Sequence, residues 1–294
     1  MKAQGVGGGY RLFLGFMHAI LALASLSAVL PLILSFIVSI SDEKSILQHG
    51  YSFFPTGYSL SAYKIILQAD WLFNAYKVTI FVTVVGTFLT VLLSAMIGYA
   101  ISVAKLRYRN VIAMILFIPM IFGAGLVPWY LWMTRVLRLK NTLAALFIPG
   151  LINPFWVFLL RNYFTTVPAS LAESAEMDGA SPVRVFFTII LPLSRPILAT
   201  IILFAALSYW NSYINALWLI DSKTLYPLQY MLFKIQSLIA YNVSRQARAS
   251  AGYQVPTQSM QMATFVVTLG PIILVYPFVQ RYFVKGIMIG AIKG

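Results

Sequence analysis

Few residues of this chain are equipped for chemistry, and they gather in three places. Three of its seven acids, Glu173, Glu176 and Asp178, stand close together between Pro168 and Pro182, where they are available for ion pairing. A second group, Tyr209-Trp210-Asn211-Ser212-Tyr213-Ile214-Asn215, sets aromatic rings beside amides and hydroxyls. That combination suits the C-H faces and hydroxyl groups of sugars. The third group is basic: Arg135, Arg138 and Lys140 fall together and can focus anions.

Catalysis of a familiar kind is not written here. The chain has no cysteine, which excludes disulfides and thiolate metal or redox sites. Its two histidines are His18, in an apolar run, and His49, in a polar segment. No paired carboxylates, Ser-His-Asp set or metal cluster can be assembled, and no G-x-x-x-x-G-K-[ST] loop is present to hold a nucleotide phosphate. The expectation is a non-catalytic chain with no metal and no cofactor of its own.

What must position these groups is a membrane. Of 294 residues 60% are hydrophobic and 10% charged, against about 25% charged in a soluble domain, and the mean hydropathy is +0.84. Six windows carry no Asp, Glu, Lys or Arg: residues 12–40, 78–103, 111–134, 142–160, 197–219 and 262–280. Each is long enough to cross the hydrocarbon core. The first begins like a secretory signal but runs far past the usual signal core, so an uncleaved helix is expected. Pro119, Gly123, Gly125, Pro149, Pro154, Gly270, Pro271 and Pro277 interrupt the spans. Carbonyls freed at such breaks need partners on neighbouring helices or water in a cavity. Breaks that line a polar path and kinks that only improve packing are both consistent with the sequence.

The net charge of +14 would suggest nucleic acid on a soluble protein, but the membrane accounts for it. With the N-terminus inside, Lys2, Arg11, Lys105, Arg107, Arg109, Arg161, Arg184, Arg195, Arg281, Lys285 and Lys293 lie inside; 21 basic residues less these 11 leaves 10 outside. So near a tie hardly fixes orientation. The carboxylates, lysines and arginines that ion-coupled transporters and pumps keep inside their spans are missing. An uphill transporter of this composition must draw its energy from another subunit; an ion-coupled secondary transporter or channel subunit is the competing reading.

The segment from Pro168 to Pro182 reads as helix, turn and helix. Ser170 and Glu173 have the spacing of a capping box, Gly179 suits the left-handed position past a helix end, and Ser181-Pro182 restarts a helix whose apolar run ends at Pro192. Glu173-Ser174-Ala175, then Asp178-Gly179-Ala180, then Ile189-Ile190-Leu191-Pro192 closely resemble the E-A-A-x-x-D-G, nine residues, I-x-L-P loop of binding-protein-dependent ABC importer permeases. Ser174 stands where that family usually has Ala. The tail Gly290-Ala291-Ile292-Lys293-Gly294 is similar to that of the smaller permease subunit of maltose-type carbohydrate importers.

The resemblance implies an all-α membrane protein, a single permease domain of six transmembrane helices over residues 1–294. It implies a cytoplasmic coupling loop at 161–196, outer loops at 41–77 and 221–261, and both termini in the cytoplasm of a bacterium whose inner membrane holds the chain. Glu173, Ser174, Ala175, Met177, Asp178, Gly179 and Ala180 would then meet an ATPase. The partners implied are a second permease subunit in a heterodimer, two ATP-binding subunits carrying ATP and Mg, an extracytoplasmic solute-binding protein, and an oligosaccharide; nucleic acid is not among them. Tyr241, Tyr253 and Gln254 would face the binding protein, unless they only solvate a connector. Tyr209, Trp210, Asn211, Tyr213 and Asn215 would line the path, with Asn211 and Asn215, and Tyr209 and Tyr213, sharing helix faces; interhelical hydrogen bonding is the competing explanation. Arg135, Arg138 and Lys140 would form an outer basic mouth, suited to an acidic saccharide such as an alginate oligouronate or, alternatively, to lipid headgroups or acids of the docking protein.

Overall fold

A computed structural model describes residues 8–246, 258–271 and 273. They form α1 (Gly8–Ser39), α2 (Glu43–His49), α3 (Ser61–Leu67), α4 (Asp70–Ser102), α5 (Arg109–Ile121), α6 (Leu126–Leu131), α7 (Ala144–Phe147), α8 (Pro154–Phe164), α9 (Ala169–Met177), α10 (Pro182–Val185), α11 (Leu191–Leu193), α12 (Arg195–Trp210), α13 (Ile214–Leu219) and α14 (Leu228–Gln246). Residues 258–271 are helical as well. The π turns Trp132–Val136 and Phe186–Ile190 and the 3-10 turns Ile148–Gly150 and Lys223–Leu225 join neighbouring helices. Among the described residues there is no strand, only an antiparallel bridge between Ser41 and Tyr58. The all-α class expected from the sequence is the one observed.

The described residues fall into two compact units, one from 8–69 and 235–270, the other from 70–234 with those after 270. In the first unit, α1 is apolar on every side, and none of its most hydrophobic window is buried. A helix of that kind suits lipid rather than water. Its end is pinned where Ser39 Oγ and Tyr63 OH share a hydrogen bond of 2.8 Å and Asp42 N-H donates to the Gly57 carbonyl at 2.9 Å. Glu43, only 9% exposed, accepts from the amides of Gln258 at 2.9 Å and Ser259 at 3.0 Å and from Ser259 Oγ at 2.7 Å. A carboxylate at the first residues of a helix satisfies orphan donors and complements the dipole. The segment 41–77 is therefore not a plain polar loop: it folds as α2 and α3, and α4 begins at Asp70. Likewise α14 occupies much of the connector expected over 221–261.

The second unit is organised around α4. Its buried face carries small residues at helical spacing, Gly86, Thr90, Ser94, Ala95 and Gly98, which let backbones approach in a membrane. A Cβ on Gly98 would stand 3.0 Å from the Val157 carbonyl oxygen and 3.1 Å from Leu160 Cβ on α8, and one on Gly86 would stand 2.8 Å from the ring of Tyr209 on α12. Val78, Val82, Leu146, Tyr209 and Leu219 form one core, and Ala95, Leu160, Phe164, Val185, Phe186 and Ile201 another.

Two of the six windows coincide with unbroken helices of spanning length, Leu12–Ser39 at 28 residues and Asp70–Ser102 at 33. Others are broken where proline and glycine remove helical hydrogen bonds. Residues 111–134 part between Ile121 and Leu126, and Ala144–Gly150 meets Pro154–Phe164 at 49°. Residues 197–219 part between Trp210 and Ile214. Counting each bent pair as one span, the described residues provide up to four; residues 272 and 274–280 of the last window lie outside them. The run expected to end at Pro192 continues through α11 and turns by 84° into α12.

The tight α4–α8 contact predicts that Gly98→Val costs about 1–3 kcal/mol of overpacking and lowers the apparent melting temperature in heated size-exclusion profiles. Gly15→Val, with nothing within 4 Å of its Cβ, should leave the profile unchanged. Equal profiles for the two variants would contradict the close packing.

Candidate functional site

The acidic cluster sits on a short hairpin. α9 starts at Ala169, with Pro168 at the N-cap and no side-chain cap. The expected capping box is thus absent: Pro168 starts the turn and Ser170 already lies in its first winding. The other end is as the residues predict. Gly179 has φ of 83°, its amide donates to the Glu176 carbonyl at 3.0 Å, and the Ala180 amide donates to the Ala175 carbonyl at 2.9 Å. These two bonds make a Schellman closure, which needs the left-handed residue glycine supplies. Ser181 Oγ then accepts from the Arg184 amide at 3.3 Å and caps α10, with Pro182 in its first turn.

The hairpin has two faces. Ala172, Ala175 and Ala180 pack on the core around Phe164, Val185 and Phe186, so Ala175 and Ala180, expected at a partner's surface, hold the hairpin to its own chain. Leu171 is 43% and Met177 88% exposed, and Glu173, Ser174, Glu176, Asp178 and Gly179 are exposed with them. Lys105 Nζ reaches Glu176 Oε2 at 3.4 Å. An apolar patch ringed by carboxylates and held on a capped stem is suited to docking, not to chemistry.

The second polar group does not lie on one continuous helix. α12 ends at Trp210, and the chain resumes as α13 only at Ile214, so the expected shared faces of Asn211 with Asn215 and of Tyr209 with Tyr213 are not formed. Tyr209 is buried: its hydroxyl donates to the Phe147 carbonyl at 3.2 Å and pairs with Thr90 Oγ1 at 2.8 Å. Asn215 Nδ2 donates to the Leu146 carbonyl at 3.3 Å. Both carbonyls flank the break at Pro149 and Gly150, where the Leu151 amide turns to Ile148 instead. Tyr209 and Asn215 therefore satisfy backbone that the break set free. Asn211 caps α12, donating to the Leu207 carbonyl at 2.9 Å and accepting from Gln229 Nε2 at 3.1 Å, while the Tyr213 ring stacks on Phe233 at 5.1 Å. Trp210 Nε1 is buried with no hydrogen-bond partner among the described residues.

Around this break lie two cavities that share Gly150 and Asn215. One, of about 430 Å³, is lined by Gly125, Leu126, Trp129 and Pro149; the other, of about 120 Å³, by Thr90, Asn153, Trp156, Ser208, Tyr209 and Ser212. Sequence reasoning missed Thr90, Trp129, Asn153, Trp156, Ser208 and Gln229. Asn153-Pro154 is legible as a helix start, and Asn153 Oδ1 does accept from the Phe155 amide at 2.9 Å; nothing in the pattern of α4 singles out Thr90.

Arg135 and Arg138 are exposed, but Lys140 is paired: its Nζ lies 3.1 Å from Asp221 Oδ2, and this hydrogen bond raises its pKa above the ordinary lysine value. Of the three cations expected at the basic mouth, Arg135 and Arg138 have no ion-pair partner among the described residues. Asn141, at φ of 62°, accepts through Oδ1 from the amides of Asp221 at 3.0 Å and Ser222 at 2.8 Å, which fixes this turn. Tyr241 falls on α14; Tyr253 and Gln254 lie outside the described residues.

Apolar helices broken around cavities with a few polar groups, with a capped hairpin between two of them, define a multi-pass membrane permease. The chain belongs to the family of binding-protein-dependent transport system inner membrane components, whose profile matches residues 91–289. It is 34% identical over 284 residues, 97% of this chain and 99% of the relative, to the polygalacturonan/rhamnogalacturonan transport system permease protein YtcP of Bacillus subtilis (strain 168). It is 28% identical over 274 residues, 91% and 92% of the two chains, to the arabinooligosaccharides transport system permease protein AraQ of Halalkalibacterium halodurans. Among solved structures, a bacterial ABC transporter involved in the import of the acidic polysaccharide alginate matches with 31% identity and a TM-score of 0.81, over 96% of this chain and 100% of that one. A bacterial alginate ABC transporter in complex with an alginate pentasaccharide-bound periplasmic protein shares the fold, with a TM-score of 0.58 at 14% identity over 92% and 94% of the chains.

The Tyr209 network predicts that Tyr209→Phe destabilises the protein by about 0.5–1.5 kcal/mol. Combining it with Thr90→Val should cost less than the sum of the two, because one bond is lost in both. Strict additivity in thermal unfolding of the four proteins would refute the shared bond.

Proposed function

We propose that this chain is one half of a heterodimeric pore in an ATP-driven importer and passes oligosaccharides that an extracytoplasmic solute-binding protein delivers. The observation that carries this is the hairpin from Ala169 to Val185, whose Glu173-to-Gly179 spacing, Schellman closure and bare outward face suit a docking element. Two ATP-binding subunits holding ATP and Mg would receive Leu171, Glu173, Met177 and Asp178. Their closure moves α9 as a rigid body, because Ala172 and Ala175 are packed into the core and α9 has little freedom to slide over it. The same core contains Phe164 at the end of α8, the π turn at Phe186 and Ile201 in α12, so a push on the hairpin reaches the helices that flank the broken spans. On this reading the hairpin, as an ATPase dock, and both termini are cytoplasmic. An ion-coupled mechanism has less support: the family is defined by dependence on a binding protein, and the apolar windows hold no Asp, Glu, Lys or Arg.

The relatives' saccharide names support an oligosaccharide as cargo, and the alginate importer's description as a transporter of an acidic polysaccharide, together with exposed Arg135 and Arg138, supports a carboxylated one. The Asn215 and Trp129 side of the larger cavity offers the amide and ring such a cargo would meet.

In the reconstituted complex, Glu173→Lys and Met177→Glu should leave membrane insertion intact and reduce transport-coupled ATP hydrolysis at least tenfold. Hydrolysis coupled as in the wild type would sink the docking assignment. Arg135→Gln with Arg138→Gln should slow uptake of an oligouronate about five- to tenfold at low salt and leave a neutral oligosaccharide unaffected, since two screened surface charges steer only a charged ligand. Equal slowing of both sugars would remove the argument for an acidic cargo.

A further inference from the structure

The stem of the hairpin borders a cavity that the importer reading does not use. It measures about 450 Å³ and is lined by Met96, Tyr99, Ala100 and Val103 at the end of α4, by Val183 in α10 and by Phe186 and Phe187 in the π turn after it. Its lining is almost wholly apolar, and its charged groups are Lys105 and Glu176, which pair at 3.4 Å. Met96, Val183 and Phe187 are 46%, 65% and 46% exposed, so the cavity opens sideways instead of closing over an internal void. It sits where the apolar run of α4 gives way to the basic turn Lys105-Leu106-Arg107-Tyr108-Arg109, at the depth where a spanning helix leaves hydrocarbon for headgroups.

We propose that this cavity binds an anionic phospholipid, with an acyl chain segment between α4 and the π turn and the phosphate on Lys105 and the neighbouring Arg107. Charge and polarity both select this occupant. An apolar slot open at its side offers an acyl chain the contacts it has in the bilayer, and three cations within five residues attract a negative headgroup. A soluble peptide would leave those cations facing the membrane surface, and a neutral lipid would make no use of them. The phosphate competes with Glu176 for Lys105. That ion pair is weak, since its side chains are 73% and 40% exposed. Lipid binding therefore frees Glu176 on α9, and the bilayer's content of anionic lipid adjusts how firmly the hairpin is tied to α4.

The test is native mass spectrometry of the detergent-purified full chain, titrated with phosphatidylglycerol or phosphatidylcholine. Wild type should retain phosphatidylglycerol about thirtyfold more strongly, the preference expected for two headgroup cations. Lys105→Gln should cut that preference to about fivefold. Ala100→Phe, which fills the slot from α4, should reduce retention of both lipids. Lys223→Gln, in a turn packed against α4 at its other end, should change nothing. Equal retention of the two lipids by wild type, or undiminished retention by Ala100→Phe, would overturn the proposal. So would displacement of the lipid by inorganic phosphate alone, which would mark a simple anion site, or its loss on adding the ATPase subunits, which would mark a protein interface.

Discussion

Inside a lipid phase no backbone amide or carbonyl can fall back on water, and this requirement governs the helical bundle around α4. Unbroken α4 satisfies it internally. Helices interrupted at Pro149 and Gly150 cannot, and the bundle supplies the missing donors from another segment: Tyr209 OH reaches the Phe147 carbonyl and Asn215 Nδ2 the Leu146 carbonyl. The break is thereby made compatible with the membrane, and the space it opens becomes a polar cavity instead of a defect. Tyr209 can do this only because Gly86 leaves room for its ring beside α4.

The same economy links packing to transmission. The small residues along α4 bring α8 and α12 close, and the core at its far end takes in Phe164, Phe186 and the alanines of α9. A hairpin that were merely tethered would bend when pushed. Here the Schellman closure and the Ser181 cap stiffen its turn, and the alanine face locks it to the bundle, leaving Leu171, Glu173, Met177 and Asp178 exposed. In the other unit the carboxylate of Glu43 plays a comparable part, accepting from the amides of Gln258 and Ser259 from a segment more than two hundred residues earlier in the chain.

Much of this was legible in the residues. Apolar windows announce a membrane helix whatever its neighbours, because spanning length and absence of charge are local properties. The hairpin was readable for a similar reason: glycine past a helix end and serine before proline act within a few residues. Legibility failed where the deciding partner is distant. Ser170 and Glu173 have capping-box spacing, yet Pro168 starts the helix first. Asn211 and Asn215 are spaced to share a helix face, yet the helix ends at Trp210 and the next begins only at Ile214, at a point the chain's apolar pattern passes over.

The residues alone thus determined the class of protein, the presence and turn chemistry of the hairpin, the clustering of the acids on it and the interruptions in the spans, since each follows from composition or from interactions a few residues long. Only the tertiary structure decided what the polar groups do. It set Tyr209 and Asn215 on freed carbonyls rather than on an open helix face, turned Ala175 and Ala180 inward, neutralised Lys140 with Asp221 and gathered Thr90, Trp129 and Asn153 around the break. Those outcomes depend on groups brought into contact from distant segments of the chain, and no local pattern specifies such a pairing.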